Sequence, residues 1–242
     1  MHQSRSGNML IEILELTMSH VGLGNLNEYA LMVLFGNAHS HSLVKDTPLT
    51  PDQIRNDAGN TLYPAYFMTR LTVPPLALLP SYKLWEHVSI GVDVRRFGDT
   101  LLESKYALGR GRQLPGDPQE WDADRFPMME GNNLLIIDSQ GDTSTKRKVG
   151  NPGAGLIANL PKSTRAPKGI MSSKQARSGG FMNVDFLGHP FKSRHPVYYE
   201  VMPRRDAAAG HAMIFAKFAE IMDYAENRFL SDQFRPQLST DV

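Results

Sequence analysis

The chain has 242 residues, 41% hydrophobic and 21% charged, and its 26 basic and 25 acidic side chains leave a net charge of +1. That balance gives no whole-chain electrostatic argument for nucleic acid or for an acidic partner, and the absence of cysteine excludes disulfides, thiolate nucleophiles and thiolate metal sites together. The apolar content suffices for a real core, in one large domain or in two of about 120 residues. No apolar run approaches the ~18–20 residues of a membrane span. Residues 1–8 are polar and lack the apolar stretch of a secretory signal, so a soluble, cytoplasmic protein is expected.

Residues 9–18 (MLIEILELTM) are apolar and partly β-branched, which predicts a strand, although two spaced glutamates leave a helix open. Gly22-Leu23-Gly24-Asn25 breaks the chain, and Asn25 or Asn27 is placed to cap the next element. Residues 26–34 are strongly apolar and are succeeded by Gly36-Asn37 and a mixed segment to Lys45, which reads as two helical pieces or one helix kinked at Gly36. Pro48 and Pro51 end it.

Four strands are then expected. Residues 61–73 alternate, with Tyr63, Ala65, Phe67, Thr69, Leu71 and Val73 sharing a face. Residues 82–94 alternate more cleanly, through Tyr82, Leu84, Glu86, Val88, Ile90, Val92 and Val94. Phe97-Gly98-Asp99 is a turn into residues 100–108, giving a hairpin, and residues 132–137 (NNLLII) form a short buried strand. Between the last two, residues 109–131 read as a long loop. Its Gly109-Arg110-Gly111-Arg112 lacks the strand-to-helix context of a phosphate loop.

Over residues 139–180 eight basic side chains (Lys146, Arg147, Lys148, Lys162, Arg165, Lys168, Lys174, Arg177) face one acid, Asp142. A basic Gly/Pro-rich linker is expected over 140–190, with little to build a core from; its bases suit a solvated connector or an anionic tail such as phosphopantetheine. Residues 195–202 (HPVYYEVM) then read as a strand and 206–230 as a helix. Its apolar stripe is Met213, Ile214, Phe215, Phe218, Ile221, Met222 and Ala225.

A strand, a buried helix and a run of antiparallel strands is the chain order of an α+β hot-dog domain. The segments GLGNLNEYALMVLFGNAHSHSLV (22–44), LYPAYFMTRL (62–71) and DAAAGHAMIFAKFAEIMDYAE (206–226) resemble a double hot-dog family of polyketide biosynthesis clusters, the leinamycin-type bifunctional acyltransferase/decarboxylases. The resemblance implies a first hot-dog unit over 9–139 and, over 191–242, the strand and central helix of an incomplete second unit. Two departures stand out. The family's Asp-x-Asn-Gly reads Asp206-Ala207-Ala208-Ala209, and only twelve residues come after Leu230, too few for a second sheet. If the first unit does not cover the helix stripe, a second copy has to, so a homodimer is expected.

The same resemblance implies an acyl-CoA or acyl-carrier-protein thioester as substrate, with no bound cofactor, and decarboxylation of a malonyl-type group passed on through a tyrosyl ester. The matching tyrosine is Tyr63, with Tyr66 as the alternative. A phenol with a pKa of about 10 needs nearby positive charge or oriented N–H donors, which a helix N-terminus supplies. Asp206 is similar to the carboxylate of hot-dog thioesterases, though Gly210 falls one place late for Asp-x-x-Gly; otherwise it is an N-cap. A thioesterase or dehydratase, and a carrier-binding scaffold without catalysis, are the alternatives. His39 and His41 lie two apart and face different sides of a helix, which argues against a metal pair, and His189 and His211 add no ligand spacing.

Overall fold

The computed structural model describes residues 8–22, 25–98, 100–137, 156–164, 166–167, 170, 197–206 and 213–238. Five strands build one antiparallel sheet: β1 (Asn8–Glu15), β4 (Leu62–Thr72), β5 (His87–Phe97), β6 (Leu101–Arg110) and β7 (Met128–Ile137), in the order β1-β5-β6-β7-β4. A small ribbon of β2 (Val21–Gly22) and β3 (Asn25–Leu26) leads into helix α1 (Glu28–Val44). The sheet wraps α1, as the hot-dog order predicts.

Asn27 caps α1, its side-chain oxygen accepting from the Ala30 N–H at 2.8 Å. The helix runs unbroken through Gly36, so the expected kink is absent. Gly36 instead makes room: a Cβ there would stand 2.8 Å from Cε1 of Phe215. Leu31, Leu34, Phe35 and Ala38 are buried along α1. They pack with the inward row of β5 (Val88, Ile90, Val92, Val94), the face that the alternation predicts. That strand starts at His87 rather than Tyr82, because Trp85 adopts a left-handed φ of 67° and breaks the extension.

The outer face of the sheet is covered too. Leu114, Trp121 and Phe126, from the stretch expected to be only loop, pack on Ala107 and Met128. Gly91 leaves space for the Trp121 ring. Strand β6 extends through Gly109 and Arg110, and β7 begins at Met128, four residues before the expected start.

The basic window differs from expectation over 156–164. Leu156, Ile157 and Leu160 are buried in the main core. Backbone bonds between Arg96 and Pro161 (2.8 Å) and between Ser163 and Arg96 (2.7 Å) fix the segment to β5. Most of the remaining window lies outside the described residues.

Residues 197–202 form no strand; 195 and 196 lie outside the described residues. The chain is instead folded around Asp206, which closes a short helix α2 (Pro203–Asp206), and the long helix α3 (Lys217–Leu238) starts well after the expected position. The carboxylate of Asp206 bonds back to the Met202 N–H at 2.8 Å, so it anchors the preceding turn rather than capping a later helix. Of the predicted stripe, Phe215 and Ile214 pack against the core, but Phe218 and Met222 are 57% and 62% exposed. Ala216 and Ala219 are buried there instead. Among the described residues no helix is long and apolar enough to cross a membrane.

Candidate functional site

Four elements bring polar groups together in the otherwise apolar space between α1 and the sheet. The Tyr66 hydroxyl on β4 lies 2.7 Å from the Tyr106 hydroxyl on β6, which lies 2.9 Å from Nδ1 of His39 on α1. Ser104 Oγ is 3.3 Å from the same nitrogen, and Asn133 Nδ2 reaches Ser104 Oγ at 3.5 Å. Nε2 of His39 and Oδ1 of Asn133 are buried without a partner. Phe35 stacks on Tyr106 at 5.3 Å between ring centroids, and Phe215 stacks on Tyr66 at 4.2 Å. A side chain at Gly131 would collide with the Tyr66 ring, 2.9 Å from Cε1, so this glycine is what lets the ring lie across β7.

The strand pleat decides which tyrosine enters the cluster. Tyr63 and Tyr66 are three apart, so they point to opposite faces of β4. Tyr66 faces α1, opposite Asn133 in register; Tyr63 pairs with Ile136 and is half-buried on the other face. A bulge between Tyr66 and Met68 then resets the alternation, and Leu71 and Val73 return to the inward side with Leu62. The face grouping read from simple alternation therefore fails at Phe67.

Every member of the chain of hydroxyls and imidazole is held neutral. Burial pulls the His39 imidazole down to about 3. Burial also raises the phenols of Tyr66 and Tyr106 above their ordinary value. His39 and Tyr106 are fully buried, whereas the Tyr66 residue keeps some accessible surface. The start of α1 does not contribute: His39 lies eleven residues beyond Glu28, about 16 Å along the axis.

Asp206 lies apart from this cluster. Its oxygens accept from Arg205 Nε and the Met202 N–H, both at 2.8 Å, and from the Tyr199 hydroxyl at 3.2 Å, with Lys217 Nζ at 3.5 Å. Chiefly through the Arg205 bond, its carboxyl is held well below the usual range. An acceptor so fully engaged fits a structural anchor better than a nucleophile or base. His41 turns away from His39 and bonds Glu12 at 2.8 Å. Among the described residues no three His, Asp or Glu side chains are grouped to hold a metal ion. His189 and His211 lie outside the described residues.

Sequence reasoning named Tyr66 and His39 but not Tyr106, Ser104 or Asn133. The available signal was polar residues on the inward row of apolar strands: Ser104 and Tyr106 two apart in β6, and Asn133 beside LLII in β7.

No family model matches the chain, and no curated protein is significantly similar to it. Two solved structures share its architecture. An acyl-ACP thioesterase from Bacteroides thetaiotaomicron is 12% identical with a TM-score of 0.51, covering 90% of this chain and 73% of its own. A protein designated an oleoyl thioesterase from Lactobacillus plantarum is 11% identical with a TM-score of 0.55, covering 91% and 72%. At such identities the likeness establishes the fold, an α+β hot-dog.

Proposed function

We propose that this protein acts on acyl thioesters, with Tyr66 donating a hydrogen bond to the thioester carbonyl. The observation that carries this reading is the relay His39–Tyr106–Tyr66, neutral throughout and ending at the one member with accessible surface. If His39 carries its proton on Nδ1, it donates to Tyr106, Tyr106 donates to Tyr66, and the Tyr66 O–H is left to donate outside the relay. Nε2 is then an unpaired acceptor, which costs less than an unpaired buried N–H. A neutral phenol backed by two aligned donors suits the charge that develops on a carbonyl oxygen. The solved hot-dog thioesterases support the same substrate class.

The fuller reading is decarboxylation of a malonyl-type thioester carried by coenzyme A or an acyl carrier protein. The bond between the carboxylate carbon and the α-carbon breaks, carbon dioxide leaves, and the electron pair moves into an enolate whose oxygen Tyr66 stabilises; a proton from solvent then completes the product. Onward transfer through a tyrosyl ester asks more of Tyr66, because the phenol must lose its proton in surroundings that raise its pKa. The full chain, incubated with malonyl-CoA and a panel of simple acyl-CoAs, tests the reading by thiol release, loss of carbon dioxide and intact protein mass. Decarboxylation or thiol release supports it, a stable acyl adduct adds the tyrosyl ester, and no turnover of any thioester rejects it.

A further inference from the structure

The ring that covers Tyr66 comes from outside the helix and the sheet that build the relay. Phe215 belongs to the short segment before α3, and it stacks on Tyr66 with centroids 4.2 Å apart and planes 27° from parallel. The tip of the same ring reaches the backbone of α1: a Cβ at Gly36 would stand 2.8 Å from Cε1 and 3.3 Å from Cζ. Glycine at that position is what lets the ring lie against the helix. The other stacked ring of the cluster, Phe35 on Tyr106, is fully buried and belongs to α1 itself. Phe215 and Tyr66 are both half-buried.

Asp206 holds Phe215 in place from behind. The Ile214 N–H donates to the Asp206 carbonyl at 2.9 Å, and Lys217 Nζ lies 3.5 Å from the Asp206 carboxylate. The Lys217 N–H closes the turn on the Ile214 carbonyl at 2.9 Å, and Ala216 within that turn is fully buried. The ring is thus a seated wall. An alkyl chain on a carbonyl held by the Tyr66 hydroxyl meets Phe215 over the phenol ring, and it meets Tyr106 and His39 on the inner side. Added methylenes in a region already packed cost binding.

We infer that Phe215 sets the size of the acyl group and restricts the site to short chains. The inference rests on the reading that an acyl thioester is held at Tyr66, and it narrows the substrate class. Ketone analogues of acyl-CoA, with a methylene in place of the thioester sulfur, keep the carbonyl but release no thiol, so they report fit without turnover. Acetyl, butyryl, hexanoyl and octanoyl analogues are titrated calorimetrically into the full chain as wild type, Phe215→Ala, Phe215→Leu and Tyr66→Phe. The wild type should bind the acetyl analogue and lose about tenfold or more in affinity by hexanoyl. Phe215→Ala should restore the longer analogues and change acetyl binding little. Phe215→Leu keeps most of the packing, which covers the case of an alanine variant that fails to fold, and should move the limit partway. Tyr66→Phe should weaken every length alike. Equal wild-type affinity for all lengths, an unmoved limit in the folded Phe215 variants, or no binding of any analogue overturns the assignment. A limit that moves in the Phe215 variants while Tyr66→Phe binds as the wild type does supports the size limit and rejects the carbonyl contact.

Discussion

Removing one oxygen from the middle of the buried relay should cost more than removing one from its end. The Tyr106 hydroxyl is fully buried and is the shared partner of Tyr66 at 2.7 Å and His39 at 2.9 Å. In Tyr106→Phe both neighbours lose that partner at once, and each buried polar group left unmet costs about 1–3 kcal/mol. Ser104 Oγ, already 3.3 Å from His39 Nδ1, can take over part of the loss. The net destabilisation is therefore expected at about 2–4 kcal/mol. Tyr66→Phe leaves Tyr106 still accepting from His39 and strands only the Tyr106 O–H, about 1–3 kcal/mol and less than the double loss. Urea unfolding of both variants, followed by far-ultraviolet circular dichroism and by tryptophan fluorescence, measures the difference if the two probes coincide. Equal costs for the two variants, or a Tyr106→Phe protein as stable as the wild type, would refute the relay.

Acid should act through His39: the unfolded imidazole protonates near 6.5 and the folded one only at about 3, so stability is lost as pH falls between those values. The loss attributable to this group is roughly 5 kcal/mol, and the stability–pH curve of His39→Gln should be correspondingly flatter. Glu28 is shifted upward by burial and by Asp223 and Glu226 of α3, so its ionised form opposes folding. Glu28→Gln should raise stability at pH 7, and the gain should vanish below the ordinary value of 4.5, where both states are protonated; a gain that persists at pH 3 would contradict this. Gly91→Ala places a methyl against the Trp121 ring and 2.6 Å from Leu114 Cδ2. It should cost about 1–3 kcal/mol and alter Trp121 emission, whereas unchanged emission would count against the outer-face packing.

The sheet and its central helix were legible because burial on one face imposes period two. Val88, Ile90, Val92 and Val94 announce their strand, and the helix 28–44 is bounded by Asn27 and the prolines at 48 and 51. Tyr66 was harder to place than Tyr63, since the bulge beside Phe67 reverses the alternation and leaves no compositional mark. The loop 111–127 hid its role for another reason: three apolar anchors, Leu114, Trp121 and Phe126, are spaced too irregularly to show a period. The C-terminal region misled most. Asp206 looks like the start of a helix, but its carboxylate is drawn back to Met202, Arg205 and Tyr199 by contacts that periodicity does not report.

The Tyr66 hydroxyl is the group on which the proposed chemistry depends. Rates of thiol release or decarboxylation should be measured on the best thioester for the wild type, Tyr66→Phe and Tyr63→Phe, each first shown to be folded. Loss of a donor aimed at the reacting oxygen predicts a fall in kcat of about 10²–10³ for Tyr66→Phe, with Tyr63→Phe close to wild type. A folded Tyr66→Phe protein with wild-type kcat, or a loss confined to Tyr63→Phe, would contradict it.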